Sequence, residues 1–325
     1  MKRLWRMQED NMVYNRFSDY LKKRYSARVY KLPVSIPVTC PNRDGRLSNS
    51  GCIFCGSEGA GFESLPQSLS VKEQLLRNAE YMGKNYKAEK FIAYFQNYSN
   101  TYLPLDSFGK YMREACLDGV AAIYISTRPD CINDAWLAFL KELEAEKHID
   151  VVIELGLQSV NCETLRSLAR GHGLAEFIDA VLRIKRFGLE SCAHMINDLP
   201  MDSLEDVVEG SRILSAVGVD QVKCHSLYIL KDTVLGEMYE HGELMPLSME
   251  EFISRTIAFL ENLSPEIVVQ RLIGRAPEER SLFCNWNTSW RKIQDEIELR
   301  MRRDGSFQGK LFNYLNGGRC MKDFL

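Results

Sequence analysis

The chain has no apolar run of membrane-spanning length, and its opening residues, MKRLWRMQEDNM, carry positive charge with no hydrophobic segment behind them. No membrane anchor and no secretory leader are expected, and a soluble, cytoplasmic protein is. G-x-S-x-G and H-E-x-x-H are both missing, which leaves hydrolase readings without a nucleophile elbow or a zinc helix. No low-complexity tract and no repeat of solenoid length occurs, so a repeat architecture is excluded. Strong charge of either sign is missing too. The formal net charge of −3 does not announce a nucleic-acid binder. One basic stretch stands against that, with Lys22, Lys23, Arg24, Arg28 and Lys31 unbroken by any acid, and its plainest reading is a solvated face. Cysteine is present at 10 in 325 residues, well below the density of small secreted disulfide scaffolds, so reduced thiols are expected.

What is present is enough apolar residue, 45%, to bury one large core, and a repeating order of strand and helix. Leu32 to Thr39 reads as a first strand, with Val34, Ile36 and Val38 facing inward. Ser70-Val-Lys-Glu73 has the form of a capping box and opens a helix to about Tyr86. Strands are expected at 90–96, 121–126, 151–158, 191–196 and 221–227, with helices between them. Six such units imply a parallel sheet whose fixed crossover hand curls it into part of a barrel. A helix over 249–263, a further strand over 266–272 and a helix over 287–303 follow. The expected organisation is an N-terminal helical, basic extension over 1–31, an α/β partial (βα)6 barrel of TIM type over 32–234, and a C-terminal extension over 235–325 packed on the barrel.

Three cysteines lie in the stretch CPNRDGRLSNSGCIFC, namely Cys40, Cys52 and Cys55. Three thiolates make an incomplete metal site. A cube-type iron–sulfur cluster is normally held by four cysteines, so one held by three leaves an iron open to an exogenous molecule. Zinc is the main rival, but structural zinc takes four ligands in a compact pattern, and none of the five histidines is close in sequence. A redox dithiol is the other, yet that motif opens a helix without a third thiol upstream. A non-enzymatic zinc or iron–sulfur module therefore stays open beside an enzyme. The glycines of GSEGAG (56–61) lack the spacing of a dinucleotide or phosphate loop and are expected to let backbone pass near the site.

In parallel barrels, ligands gather where the C-terminal strand ends converge. The polar residues at those ends are Gln96 and Asn97, then Ser126 and Arg128, then Gln158 with Glu154 earlier in its strand, then His225. Placed beside the cysteine loop, they form the candidate binding set.

These residues resemble the radical S-adenosylmethionine (SAM) superfamily. The eleven residues between Cys40 and Cys52 are similar to the long-spaced motif of the elongator catalytic subunit, in place of the usual C-x3-C-x2-C. Segments including YNRFSDYLKKRY, GCIFCGSEGAGF, AYFQNYSNTYLP, IELGLQS, HMINDLPMDS and VKCHSLYILKDT resemble the YhcC/YtqA-like family along nearly the whole chain. The resemblance implies a [4Fe-4S] cluster on Cys40, Cys52 and Cys55, with SAM chelating the fourth iron and cleaved reductively to a 5′-deoxyadenosyl radical. It implies Phe54 near the adenine, and Gln96 and Asn97 where many members carry Gly-Gly-Glu. Ser126 and Arg128 would meet ribose and carboxylate, Glu154 and Gln158 the ribose and polar pocket, and His225 and Tyr228 adenine or substrate. A one-electron donor such as flavodoxin or ferredoxin is implied, as is tRNA wobble-uridine side-chain modification, with a small metabolite or another protein as the alternative substrate. The chain departs from the family at RLIGRAPEERSLFCNW, where relatives have RLTGDAPR, bringing in Arg275 and Cys284.

Overall fold

The computed structural model describes residues 12–56, 59 and 64–321, so parts of MKRLWRMQEDNM and of GSEGAG lie outside the described residues. Seven strands form one sheet in the order β1-β2-β3-β4-β5-β6-β8, every pairing parallel. They are β1 (Val29–Val34), β2 (Lys90–Phe95), β3 (Val120–Thr127), β4 (Asp150–Gln158), β5 (Glu190–Ile196), β6 (Gln221–His225) and β8 (Val268–Arg271). Between them run α2 (Val71–Tyr86), α3 (Leu105–Glu114), α4 (Asp134–Lys147), α5 (Cys162–Ser167), α6 (Leu174–Arg186) and α7 (Leu204–Val217). The expected cap forms, Ser70 and Glu73 exchanging both capping-box bonds, and two further caps join it, Asn133 accepting from Ala135 N and Ser203 from Asp206 N. These satisfy backbone N–H groups that a helix start leaves without partners.

Alternation along each strand divides the sheet into two faces. Phe95, Ile123, Ile125, Ile153 and Leu155 pack outward under the helices, against Phe108, Leu140 and Phe177. Ile92, Tyr94, Ala122, Tyr124, Val152 and Cys192 point inward. The inner face closes on itself: Lys31 of β1 reaches Gln270 of β8 at 2.7 Å, and the hydroxyl of Tyr124 on β3 meets Gln221 of β6 at 3.1 Å. The sheet is thus the expected partial barrel, with a seventh strand supplied by the expected 266–272 segment.

The N-terminal end of this barrel is plugged. Helix α1 (Phe17–Tyr25) lays Leu21, Phe17 and Tyr20 on the inner apolar cluster. Its polar groups tie to the first residues of two strands, Arg24 and Tyr25 to Asp150 and Tyr20 to Glu190. Just before it, Arg16 bridges to Val269 of β8.

The first strand differs from expectation. It runs Val29–Val34 rather than 32–39, and Val34 faces the helices, not the interior. The reason is tertiary: the Gln74 side chain on α2 accepts from Ser35 N and donates to Ser35 O, both at 2.8 Å, which takes that residue out of the ladder. Pro37 has no N–H with which to resume it. Cys40 therefore follows the strand end by a looped segment.

Beyond the barrel core, β7 (Tyr228–Leu230) pairs antiparallel with β9 (Ser281–Cys284), a two-stranded flap that the sequence pattern did not suggest. Helices α8 (Val234–Glu240), α9 (Met249–Asn262) and α10 (Trp290–Arg303) complete the chain. No described helix is long and apolar enough to cross a membrane.

Candidate active site

One cavity of about 630 Å³ opens at the C-terminal end of the strands, within the roughly 300–1,000 Å³ usual for small-molecule sites. Cys40, Cys52 and Cys55 share its wall, and so do Gln96, Ser126, Arg128, Gln158, His225 and Tyr228. Three residues of the candidate set do not line it. Phe54 packs with the apolar group of Leu168, Ile196 and Leu227. Asn97 spends its amide on Ser35 Oγ at 2.6 Å and keeps its carbonyl oxygen buried without a partner. Glu154 lies beneath the cavity surface with no exposed area.

The cysteine loop is fixed by three residues that motif reading passed over. Asn42 donates to Cys52 Sγ at 3.4 Å and to the carbonyls of Ala169 and Arg170. Arg170 donates to Cys52 Sγ at 3.3 Å and to Gly156 O at 2.6 Å. Arg43 clamps the carbonyls of Cys55 and Gly56 at 2.6 and 2.8 Å. Two glycines permit this approach. A Cβ on Gly156 would stand 3.0 Å from the Arg170 guanidinium, and one on Gly171, whose φ is +69°, would stand 2.7 Å from Asn42 Oδ1. Burial pushes the Cys55 thiol up while Arg43 opposes it. His172 accepts from Arg170 as a neutral ring, its pKa pushed down to about 3 by burial and then by Arg170 and Arg128.

The donors aimed at Cys52 fit a thiolate in metal ligation, since hydrogen bonds to ligand sulfur tune such centres. The spacing fits a cluster better than zinc. Among the described residues the trio of ligand atoms lying within 4.8 Å of one another is that of Glu154, Cys192 and His194, not that of the three cysteines. Sulfurs on one zinc ion sit about 2.3 Å from it, hence under about 4 Å apart. The Glu154 trio is itself unsuited to a cation, because two lysines already hold the carboxylate.

That carboxylate organises the floor. Glu154 takes Lys31 Nζ at 2.7 Å, His194 Nε2 at 2.8 Å, and Lys223 Nζ and Ser126 Oγ at 3.3 Å. Burial opposes its ionisation, yet Lys223 and Lys31 hold it well below the usual carboxylate range. Burial pushes Lys223 down to about 7 against the pull of Glu154. His194 falls to about 4, through burial and then Lys223. Lys31 therefore belongs to the barrel interior, its ammonium 4.4 and 4.2 Å from the ring centres of Tyr94 and Tyr124, and Arg24 is bound to Asp150. The basic stretch expected to form one face is divided between interior and surface.

Gln158 ends β4 with φ +78° at a register shift between β4 and β5, a left-handed backbone where a side chain is turned into the cavity wall. Arg128 holds Asp130 through two bonds and donates to Arg170 O at 2.7 Å. His225 receives the guanidinium of Arg271, at 2.6 Å from Nδ1. Burial and Arg271 push its pKa well below the ordinary histidine value.

The profile of the Radical SAM superfamily matches residues 39–230, and that of the Radical_SAM C-terminal domain matches residues 219–303. YtqA of Bacillus subtilis is 31% identical over 303 residues, 93% of this chain and 94% of that protein. The tRNA uridine(34) acetyltransferase of Methanocaldococcus infernus is 30% identical over 157 residues, 47% of this chain and 28% of that protein. Among solved structures, Elp3 of Methanocaldococcus infernus with an N-terminal deletion superposes with a TM-score of 0.66 at 17% identity, covering 87% of this chain and 64% of that one, a likeness of fold. Members of this superfamily are enzymes that use a [4Fe-4S] cluster and SAM, as the cysteine wall and its sulfur-directed donors fit. By these matches and by that site, the chain belongs to the radical SAM superfamily and, within it, to the YhcC/YtqA-like family.

Proposed function

We propose that this radical SAM enzyme modifies the side chain of a tRNA wobble uridine. The observation that carries the reading is the match over 47% of the chain to a protein named for tRNA uridine 34, supported by the long cysteine spacing. Cys40, Cys52 and Cys55 would hold the cluster, and a bound cluster with SAM supplies a radical able to take hydrogen from an unactivated carbon. Gln96, Ser126, Arg128 and Gln158 are proposed to hold SAM, with His225 and Tyr228 facing adenine or substrate. The chain's own contribution is a walled chamber: the α1 plug and the inner apolar cluster keep water and stray hydrogen donors from below. An electron enters from a flavodoxin- or ferredoxin-like donor in a reducing cytoplasm.

The test is anaerobic turnover with bulk tRNA from a deletion strain, reading deoxyadenosine and altered wobble nucleosides together. Deoxyadenosine with a changed wobble uridine is expected; unchanged uridines in both the reaction and the deletion strain overturn the reading. A second reading, a small metabolite or a protein as substrate, is favoured by one observation. Arg24 and Lys31 of the basic stretch are engaged by Asp150 and Glu154, which shrinks the surface available to RNA phosphates. Binding of tRNA that does not weaken with salt would support it.

A further inference from the structure

Among the described residues, seven side chains lining the cavity are lysine or arginine and none is aspartate or glutamate. Five of the seven have acceptors within the protein. Arg43 holds loop carbonyls, Arg128 holds Asp130, Arg170 holds Cys52 and Gly156, and Lys31 and Lys223 share Glu154. Among the described residues, Arg271 and Arg275 have no oxygen or sulfur acceptor. Arg271, the last residue of β8, gives one nitrogen to the neutral His225 ring and keeps its Nε buried without an acceptor. Arg275 lies over the Trp290 ring at 4.5 Å, and neither guanidinium has a carboxylate within ion-pair distance among the described residues. Burial pushes the Arg271 pKa down and Arg275 adds to that, while the Glu154 charge, beyond ion-pair distance, pulls the other way.

Two like charges lining one wall, one of them with an unspent buried donor, are costly unless an anion completes them. A planar fork with free donors matches a two-oxygen acceptor. We propose that Arg271 and Arg275 form the subsite for a carboxylate carried by the substrate. The inference rests on the cavity being the radical SAM site and adds the chemistry of what enters it. Depth favours a carboxylate over a nucleic-acid phosphate, because Arg271 sits in the strand wall while only Arg275 reaches the exposed rim.

The test uses reconstituted, SAM-loaded enzyme and three probes, acetate, its neutral counterpart acetamide, and inorganic phosphate, with binding read by saturation-transfer NMR. Acetate should bind in the millimolar range and acetamide should not. Arg271→Gln, and separately Arg275→Asp, which places an internal carboxylate beside Arg271, should each weaken acetate by about tenfold or more, as loss of a charge-assisted pair does. The rim variant keeps the test valid where the strand variant does not fold. No acetate binding, or phosphate bound more tightly than acetate, overturns the proposal. So does a parallel loss of SAM affinity in Arg271→Gln, which would assign the guanidinium to SAM. No tRNA enters the experiment, so its failure and a failure of the uridine reading are read separately.

Discussion

The two walls of the cavity are built from the same residue types and use them differently. On the cysteine wall, Arg43, Arg128 and Arg170 are spent on carbonyls, on Asp130 and on the Cys52 sulfur, so the cations act as mortar for a loop with no regular structure of its own. On the strand floor, Lys31 and Lys223 crowd one buried carboxylate, and Arg271 and Arg275 are left over. Each cation of the first wall has an oxygen or sulfur acceptor within the protein, although the Nε of Arg170, like that of Arg271, is buried without one. The second is satisfied only in part, and an incompletely paired site is where a ligand's charge is awaited.

Four measurements bear on this difference. Changing Cys52→Ala should remove the cluster and bring SAM cleavage to background, read by iron content and visible absorption after anaerobic reconstitution, while Cys162→Ala, at an exposed thiol, should change neither. Full retention of iron in the first variant would break the reading of that wall. On the floor, Glu154→Gln strips two lysines of their shared anion and should cost about 3–5 kcal/mol in denaturant unfolding. A cost below about 1 kcal/mol would mean that the carboxylate is not what holds the two lysines in the floor.

The floor should also make stability depend on pH. Lys223 is depressed from 10.5 to about 7, so between those values the unfolded chain holds a proton that the folded chain has lost. Stability then rises with pH, by up to about 1.4 kcal/mol per unit between pH 7 and pH 9, and Lys223→Met should flatten that slope. A wild-type slope that survives the substitution would place its origin elsewhere. The smallest effect belongs to the satisfied wall. Arg170→Met deletes a charged donor to Cys52 sulfur and should lower the cluster's reduction potential by on the order of 60 mV in a potentiometric titration, with iron content kept. An unchanged potential would reduce Arg170 to a structural clamp on Gly156.

What could be read from sequence and what could not divides along the same line. The capping box at Ser70, the later strands and the three cysteines are local patterns, and the structure has the box, the strands and a cavity wall that the cysteines share. The end of β1 was misplaced because a side chain 39 residues away, Gln74, takes the backbone of Ser35. Lys31 read as surface because its partners, Glu154 and Gln270, are distant in sequence and meet it only when the sheet curls. Arg170 and Asn42 carried a signal that was passed over: Gly171, beside Arg170 in ARGHG, is a glycine that close approach requires. Arg271 had none, since its significance is that no carboxylate among the described residues reaches ion-pair distance, a property of the assembled wall.

The α1 plug has a kinetic consequence. With Tyr20, Arg24 and Tyr25 fastened to Glu190 and Asp150, the chamber is closed by a helix at the N-terminal end of its strands and opens at the C-terminal end. A molecule seated against that floor is reached from the open end, past the strand ends and the cysteine loop. A chamber closed on one side in this way would favour ordered turnover, with the molecule nearest the floor first in and last out.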